Sequence, residues 1–208
     1  MNLGTIVLVA LAILLLTPLS RIVLAAVFGG SIGRAALDRQ PDTIHLKPVD
    51  VAKLRHAERV ESLARAYTAG GFEDAGLFTI PEMPGVHVRL LANARESMYA
   101  AIYDHPVAGV FYDVVSRAED GSSWTFTTAR PTGIRHRDNA HMTNLPGAEP
   151  AALVTACLRG RSASGLRACS KAAVVHDFET AYADYIAWMK QRGLSRGEVV
   201  DVARRKVA

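Results

Sequence analysis

The chain has 208 residues, of which 50% are apolar and 21% charged, and its mean hydropathy of +0.12 excludes the polar, highly charged composition of an intrinsically disordered protein. Its net charge of +4 is too small, and its basic residues too regularly interrupted by acidic ones, to predict nucleic-acid binding.

The first segment of the chain is apolar, because residues 2–20 contain no ionisable side chain. As a helix this segment spans about 28 Å, close to the hydrocarbon thickness of a bilayer. We therefore predict that residues 3–20 cross the membrane and that residues 1–33 form an anchor with its juxtamembrane segment. A cleaved signal peptide is an alternative, although no basic residue precedes the apolar core. A helical hairpin is another, because residues 22–28 are apolar again.

The basic residues near the predicted membrane span indicate its orientation. Arg21, Arg34 and Arg39 follow the span, and only the α-amino group precedes it. Basic flanks stay in the cytoplasm, so the sequence predicts a single-pass protein of the cell membrane with a cytoplasmic body. Export or secretion is the alternative localisation.

Two short features follow the span. Gly29 and Gly33 have the GxxxG spacing that favours close helix packing, although a simple helix end also explains them. Residues 34–49 are polar and contain Pro41 and Pro48, which is typical of a tether.

A helical period begins at residue 50 and continues to Gly70-Gly71. Apolar side chains recur every three to four residues, at Val51, Leu54, Ala57, Val60, Leu63 or Ala64, and Tyr67. The opposite face is charged, so the segment is predicted to be an amphipathic helix with one buried face.

A period of two then replaces the helical period. We predict strands over residues 72–80, 86–91, 98–103, 110–117 and 122–128, separated by short turns. Parallel neighbours need long crossover connections, so five strands with short turns are predicted to form an antiparallel meander.

The last hairpin of this meander places a carboxylate on an apolar face. With Asp120-Gly121 as a type I′ turn, Val115 pairs with Phe126 and Asp113 with Thr128. Burial would raise the pKa of Asp113, which makes it a candidate catalytic acid or base. A carboxylate hydrogen-bonded near the strand edge is the alternative.

The densest set of functional groups lies between residues 130 and 141, after the last predicted strand. Arg130, Arg135 and Arg137 are candidates for binding a phosphate or carboxylate. His136, Asp138 and His141 are candidates for acid–base catalysis. A solvated surface loop is the alternative, and the spacing predicts no metal site.

The C-terminal region is predicted to be helical. Pro150 begins a helix to about Arg159, Asp177 caps another that Gly193 ends, and Ser195 with Glu198 forms a capping box for a third. The predicted fold is thus α+β, with the N-terminal span, one helix, a roughly five-stranded antiparallel meander and two to three C-terminal helices. Residues 50–208 are predicted to form a single domain.

Basic residues without acidic neighbours occupy residues 150–176. They are Arg159, Arg161, Arg167 and Lys171, and we predict that they contact anionic lipid. The cysteines of the chain, Cys157 and Cys169, form no disulfide framework, although they could pair if the body were exported. Cys157 is predicted to lie in the core.

Several short segments carry a resemblance to known sequences. They are Gly71-Phe72, residues 98–106, residues 112–117 with Asp120-Gly121, Thr127-Thr128 and residues 145–148. Over about residues 50–200 the chain resembles a recurring bacterial family of uncharacterised, often membrane-anchored α+β proteins. The resemblance implies a bacterial source and a shared domain, but no activity and no catalytic residue.

These observations favour a membrane-anchored binding or interaction module whose partner is unknown. The alternative is a hydrolase or transferase that acts on an anionic substrate through the loop from Arg130 to His141. Phosphate-binding, dinucleotide-binding, zinc-protease and calcium-binding motifs are absent from the sequence, so no cofactor is predicted.

Overall fold

The computed structural model describes residues 29–31 and 33–205, and the chain forms two compact units. The first comprises Met1–Pro41, Pro131–Arg135 and Ile186–Ala208, and the second comprises Asp42–Arg130 and His136–Tyr185. The predicted membrane span, residues 3–20, lies outside the described residues. Within the described ranges, no helix has the length and apolarity that a membrane span requires.

The second unit is built on a seven-stranded sheet whose strands follow one another in chain order. The strands are β1 (Lys47–Pro48), β2 (Glu73–Thr79), β3 (His87–Asn93), β4 (Met98–His105), β5 (Gly109–Arg117), β6 (Ser123–Thr127) and β7 (Ala140–Asn144). Strands β1 to β6 are antiparallel, and β7 is parallel to β6. The α+β class and the five-stranded meander, β2 to β6, are thus confirmed.

Besides residues 29–31 and 33–38, the described helices are a 3₁₀ turn (Val51–Lys53), α1 (Ala57–Ala69), α2 (Pro150–Gly160), α3 (Val174–Arg192) and α4 (Arg196–Arg205). The three predicted C-terminal helices are confirmed. The helix predicted from residue 50 begins later, because Asp50 caps only the 3₁₀ turn and Leu54 has extended backbone angles. Helix α3 begins three residues before Asp177, so Asp177 lies in its first turn and is not its cap.

Both faces of the sheet are covered within the second unit. On one face, α1 and α2 pack Val60, Leu63 and Leu153 against the sheet. On the other face, Val174 and Phe178 of α3 pack against it. Alternate residues of a strand point to opposite faces, so central strands with apolar residues on both faces form two hydrophobic cores.

The β5–β6 hairpin differs from its prediction by one residue. Asp113 pairs with Thr127 and Val114 with Phe126, because a three-residue loop replaces the type I′ turn. Its last residue, Gly121, has φ of +83° and donates its N–H to Ala118 O, which is a type I turn followed by a bulge. A one-residue shift exchanges faces, so Phe126 does not share the face of Asp113.

The predicted strands end at residue 128, and β7 is an additional strand that was not predicted. Twelve residues separate Thr127 from Ala140, which is enough for the chain to return and pair parallel to β6. The sequence of β7, Ala140–Asn144, has no alternation of apolar and polar residues, because it lies at the edge of the sheet where little side-chain surface is buried.

Residues 34–49, the predicted tether, contain ordered structure. Residues 33–38 are helical in the first unit, where Leu37 is buried. In the second unit Ile44 is buried in the core and β1 pairs with β2.

A buried carboxylate organises the first unit. Glu198, 9% exposed, accepts hydrogen bonds from the Arg192 guanidinium at 2.8 and 3.0 Å and from the Arg135 N–H at 2.8 Å. The predicted capping box is confirmed, because the Ser195 N–H donates to Glu198 and the Glu198 N–H donates to Ser195 Oγ. Burial would raise the pKa of Glu198, but these donors lower it to about 2.

The GxxxG spacing serves helix packing inside the first unit. A Cβ atom added at Gly33 would lie 2.9 Å from Leu194 Cβ and 3.1 Å from Val199 Cγ2, and one at Gly29 would lie 3.1 Å from Arg196 Cγ. Because residues four apart share one helix face, the two glycines allow the backbone at positions 29 and 33 to lie close to Leu194, Arg196 and Val199.

We expect Gly33→Val to separate these two segments. The added side chain overlaps Leu194 and Val199, so the variant should lose about 1–3 kcal/mol of stability through overpacking. Limited proteolysis measures the loss as faster cleavage near residue 40. The control is Gly30→Ala, because nothing lies within 4 Å of a Cβ atom there. Equal cleavage of the two variants would contradict the packing role of Gly33.

Candidate functional site

Asp113, the first predicted catalytic residue, lies on the sheet face that α3 covers. Its Oδ1 atom is buried and accepts no hydrogen bond from the described residues. Burial raises the pKa of Asp113 to about 6, and hydrogen bonds from the hydroxyl groups of Thr127 and Tyr103 limit the rise. A carboxyl group of this kind can exchange a proton close to neutral pH.

Tyr103, one of the two hydroxyl donors to this carboxylate, contacts other aromatic rings. Tyr103 stacks on Phe111 with 4.5 Å between ring centroids and lies 6.2 Å from the ring of Phe178. The Thr127 hydroxyl accepts the Ala129 N–H, which leaves its own hydrogen for Asp113. The hydroxyl groups of Tyr103 and Thr127 therefore hold the carboxylate in place.

The loop candidates lie in different surroundings. Arg130 is exposed, and Arg135 belongs to the first unit, where its N–H binds Glu198. In the second unit, His136 lies 6.3 Å from the Tyr185 ring, and Asp138 is exposed. Arg137 has a buried Nε atom without a partner among the described residues.

His141 lies on β7 rather than in a loop. Its ring stacks on Trp124 of β6, with centroids 5.7 Å apart and an interplanar angle of 20°. In the sheet register His141 pairs with Trp124, and Asp113 pairs with Thr127. Trp124 and Thr127 are three positions apart on β6, so His141 and Asp113 lie on opposite faces of the sheet.

Two of the predicted lipid-binding residues form ion pairs in the second unit. Arg161, whose side chain is 9% exposed, donates to the Glu96 carbonyl and lies 3.4 Å from its carboxylate. Arg167 lies 2.8 Å from the Asp177 carboxylate. Both acidic partners lie outside residues 150–176, because Glu96 comes from another part of the chain and Asp177 follows the segment directly. Arg159 and Lys171 are exposed.

A histidine–aspartate pair that sequence reasoning missed lies where β4 approaches the start of α1. Asp104 is 1% exposed, and its Oδ1 atom lies 2.7 Å from His56 Nδ1. Its Oδ2 atom accepts the N–H groups of Arg55 and His56 at 2.6 and 3.3 Å. Burial would raise the pKa of Asp104, but these three donors outweigh it and lower the pKa.

This arrangement has two chemical consequences. The His56 side chain is half exposed, so a carboxylate on Nδ1 directs Nε2 towards solvent, as in a general base. The same carboxylate accepts two backbone N–H groups just ahead of α1 and so holds the chain in place where the helix begins. The pair was missed because 48 residues separate its members, and only the end of a predicted strand marked Asp104.

The two cysteines lie in different hydrophobic cores. Cys157 is fully buried with α1 and α2, as predicted, and Cys169 is buried on the opposite face of the sheet. A disulfide between them would require the sheet to open. Burial raises the pKa of each thiol to about 11, so neither is a reactive thiolate at neutral pH.

Comparison with protein-family models, curated proteins and solved structures finds no match to this chain. In the described part of the chain, no group of three His, Cys, Asp or Glu side chains is arranged to hold a metal ion.

Proposed function

We propose that the protein is a membrane-anchored module of bacterial origin that binds an extended segment of a protein partner along the edge strand β7. The apolar residues 3–20 support the anchor, and the basic flank at Arg21, Arg34 and Arg39 supports a cytoplasmic body. The observation that carries the proposal is the open edge of β7.

Strand β7 ends the sheet of the second unit, so one of its backbone edges has no neighbouring strand among the described residues. The Ser123 N–H donates to Asn139 O, and the Leu145 N–H donates to Thr127 O. Backbone direction alternates along a strand, so the N–H and C=O groups of Met142 point away from β6. An added strand would pair with these groups, as in β-augmentation.

The side chains of β7 suit a binding surface. His141, Met142 and Thr143 are exposed, and Met142 at 43% is one of the few large apolar side chains that the second unit exposes. Edge strands that avoid association carry charged residues or proline, and β7 has neither. The neighbouring Arg137 and Asp138 would favour partners with complementary charges.

An enzyme that uses the loop from Arg130 to His141 stays the alternative. A common active site would need these candidates to converge, and Asp113 lies on the sheet face opposite His141. Binding along β7 requires no such convergence, which is why we prefer it.

The test is photo-crosslinking in native membranes of the full-length chain. A photo-reactive phenylalanine analogue at Thr143 should yield one dominant adduct, whereas the same analogue at Val107, 90% exposed in the β4–β5 turn, should yield none. The adduct at position 143 should fall about tenfold when Met142→Pro removes the outward N–H.

The matched control is Met142→Ala, which retains the N–H and loses the side chain. Retention of the adduct in the alanine variant and its loss in the proline variant would identify backbone pairing. Equal adducts in the two variants, with unchanged circular dichroism, would contradict it. An adduct of twice the mass of the chain would assign the edge to a second copy.

A further inference from the structure

The two units differ in charge. Among the described residues, the first unit has eight Lys or Arg and three Asp or Glu side chains, whereas the second has fourteen and seventeen. Arg21 and Lys206 also belong to the first unit by sequence. The net charge of +4 therefore combines a strongly basic unit with a slightly acidic one.

The basic side chains of the first unit are accessible. Six of the eight are exposed, namely Arg34, Arg39, Arg135, Arg196, Arg204 and Arg205. The acidic residues do little to balance them. Glu198 is buried against Arg192, Asp201 lies 4.0 Å from Arg204, and Asp38 is exposed.

This unit also contains an open cavity of about 950 Å³. Residues 30–31 and 34–38 contribute one wall, and the C-terminal end of α3 with Gly193 and Leu194 forms the other. Arg34 and Lys190 line it together with Asp38, and Arg192, which also lines it, is paired with Glu198. A concave surface with this lining can accept the phosphate of a lipid headgroup.

We propose that the first unit binds the anionic headgroups of the bilayer surface where the chain leaves the membrane. The inference rests on the proposed anchor, because the unit begins with the apolar segment and continues directly from it. Each Lys or Arg near an anionic leaflet contributes about 1 kcal/mol, so several exposed arginines hold the unit at the surface.

The chemistry favours a membrane over nucleic acid as the partner. Binding of single strands requires aromatic side chains on which bases stack. Among the described residues of the first unit, Trp188 is the single aromatic side chain, and the Arg192 guanidinium lies 4.9 Å from its ring centroid. A basic surface beside an apolar segment is the combination that anionic lipids select.

The two tryptophans of the chain allow a direct test with the full-length protein in vesicles. Trp124→Phe leaves Trp188 as the reporter of the first unit, and Trp188→Phe leaves Trp124 as the reporter of the second. The vesicles contain phosphatidylcholine alone or with phosphatidylglycerol, and a nitroxide on the lipid headgroup quenches nearby fluorescence. We expect anionic lipid to increase the quenching of Trp188 about twofold, in a salt-sensitive manner, and that of Trp124 very little.

Matched charge variants identify the residues responsible. Arg34, Arg39, Arg196 and Arg204 are changed together to Gln, and the control changes Lys53, Arg59, Arg65 and Arg95 of the second unit, which are also exposed. Both variants lose four positive charges. The variant of the first unit should lose the increase in Trp188 quenching that anionic lipid causes, and the control variant should retain it.

The outcomes separate this inference from the anchor. In one outcome the chain floats with neutral vesicles and the quenching of Trp188 is the same with and without phosphatidylglycerol. That result would uphold the anchor and overturn the inference. Flotation with anionic vesicles only, with Trp188 quenched, would uphold the inference and overturn the anchor. Equal loss of quenching in both charge variants, or binding of a DNA duplex in preference to anionic vesicles, would also overturn the inference.

Discussion

Asp104→Ala is expected to lower the free energy of unfolding by about 3 kcal/mol at pH 7. The substitution leaves the N–H groups of Arg55 and His56 and the Nδ1 atom of His56 without their shared acceptor. Asp104 is almost completely buried, so water cannot replace the carboxylate without local opening at the start of α1. Chemical unfolding of the detergent-solubilised chain, followed by tryptophan fluorescence, measures the loss.

His56→Ala is the matched control for this prediction. It removes one of the three donors and retains the backbone contacts, so it should cost only about 1 kcal/mol. If Asp104 stabilised the fold only through its contact with the half-exposed His56 side chain, and not through the backbone N–H groups at the start of α1, the two variants would lose similar stability. A loss below about 0.5 kcal/mol for Asp104→Ala would contradict the role of Asp104 at the start of α1.

The pH dependence of the Asp104 contribution has a defined sign. The folded protein lowers the pKa of Asp104 below the ordinary value of 3.8, so the native state binds its proton more weakly than the unfolded chain. Its contribution is complete above the unfolded pKa and is lost as the pH falls through the folded pKa. The difference in stability between the unaltered protein and Asp104→Ala should therefore shrink only below about pH 4.

The opposite pH dependence is expected at Asp113. Its pKa is raised from 3.8 to about 6, so the ionised carboxylate destabilises the native state above pH 6. As the pH falls from 8 to 4, the unaltered protein should gain about 2 kcal/mol relative to Asp113→Asn, which cannot titrate. Unfolding free energies of both proteins across this range measure the gain.

Glu119→Gln provides the control for Asp113, because Glu119 is exposed in the β5–β6 turn. Its stability should follow that of the unaltered protein across the same pH range. Parallel curves for the unaltered protein and Asp113→Asn would show that the carboxylate is solvated, contrary to its buried Oδ1 atom.

The central strands were predictable because their side chains alternate and their turns are marked by glycine and proline. The β5–β6 register was not, since both a two-residue and a three-residue loop place Gly121 at positive φ. Strands β1 and β7 lie at the two edges of the sheet, where pairing depends on backbone groups of distant segments. Neither strand has the alternation of apolar and polar residues by which the central strands were predicted.

The candidate sites show the same limit. Burial of Asp113 followed from its position among apolar strand residues, whereas the His56–Asp104 pair and the basic first unit depend on contacts between distant segments. No single segment of the sequence shows the positive charge of the first unit, because its residues 29–41, 131–135 and 186–205 lie far apart along the chain. Window-by-window counting therefore finds only a weakly basic protein.

The anchor is the claim on which both proposals about location depend, and alkaline extraction of the membrane fraction tests it most directly. A chain with a membrane-spanning segment at residues 3–20 should remain in the pellet at high pH, together with integral membrane proteins. Release of the full-length chain into the supernatant, with peripheral proteins, would contradict the anchor.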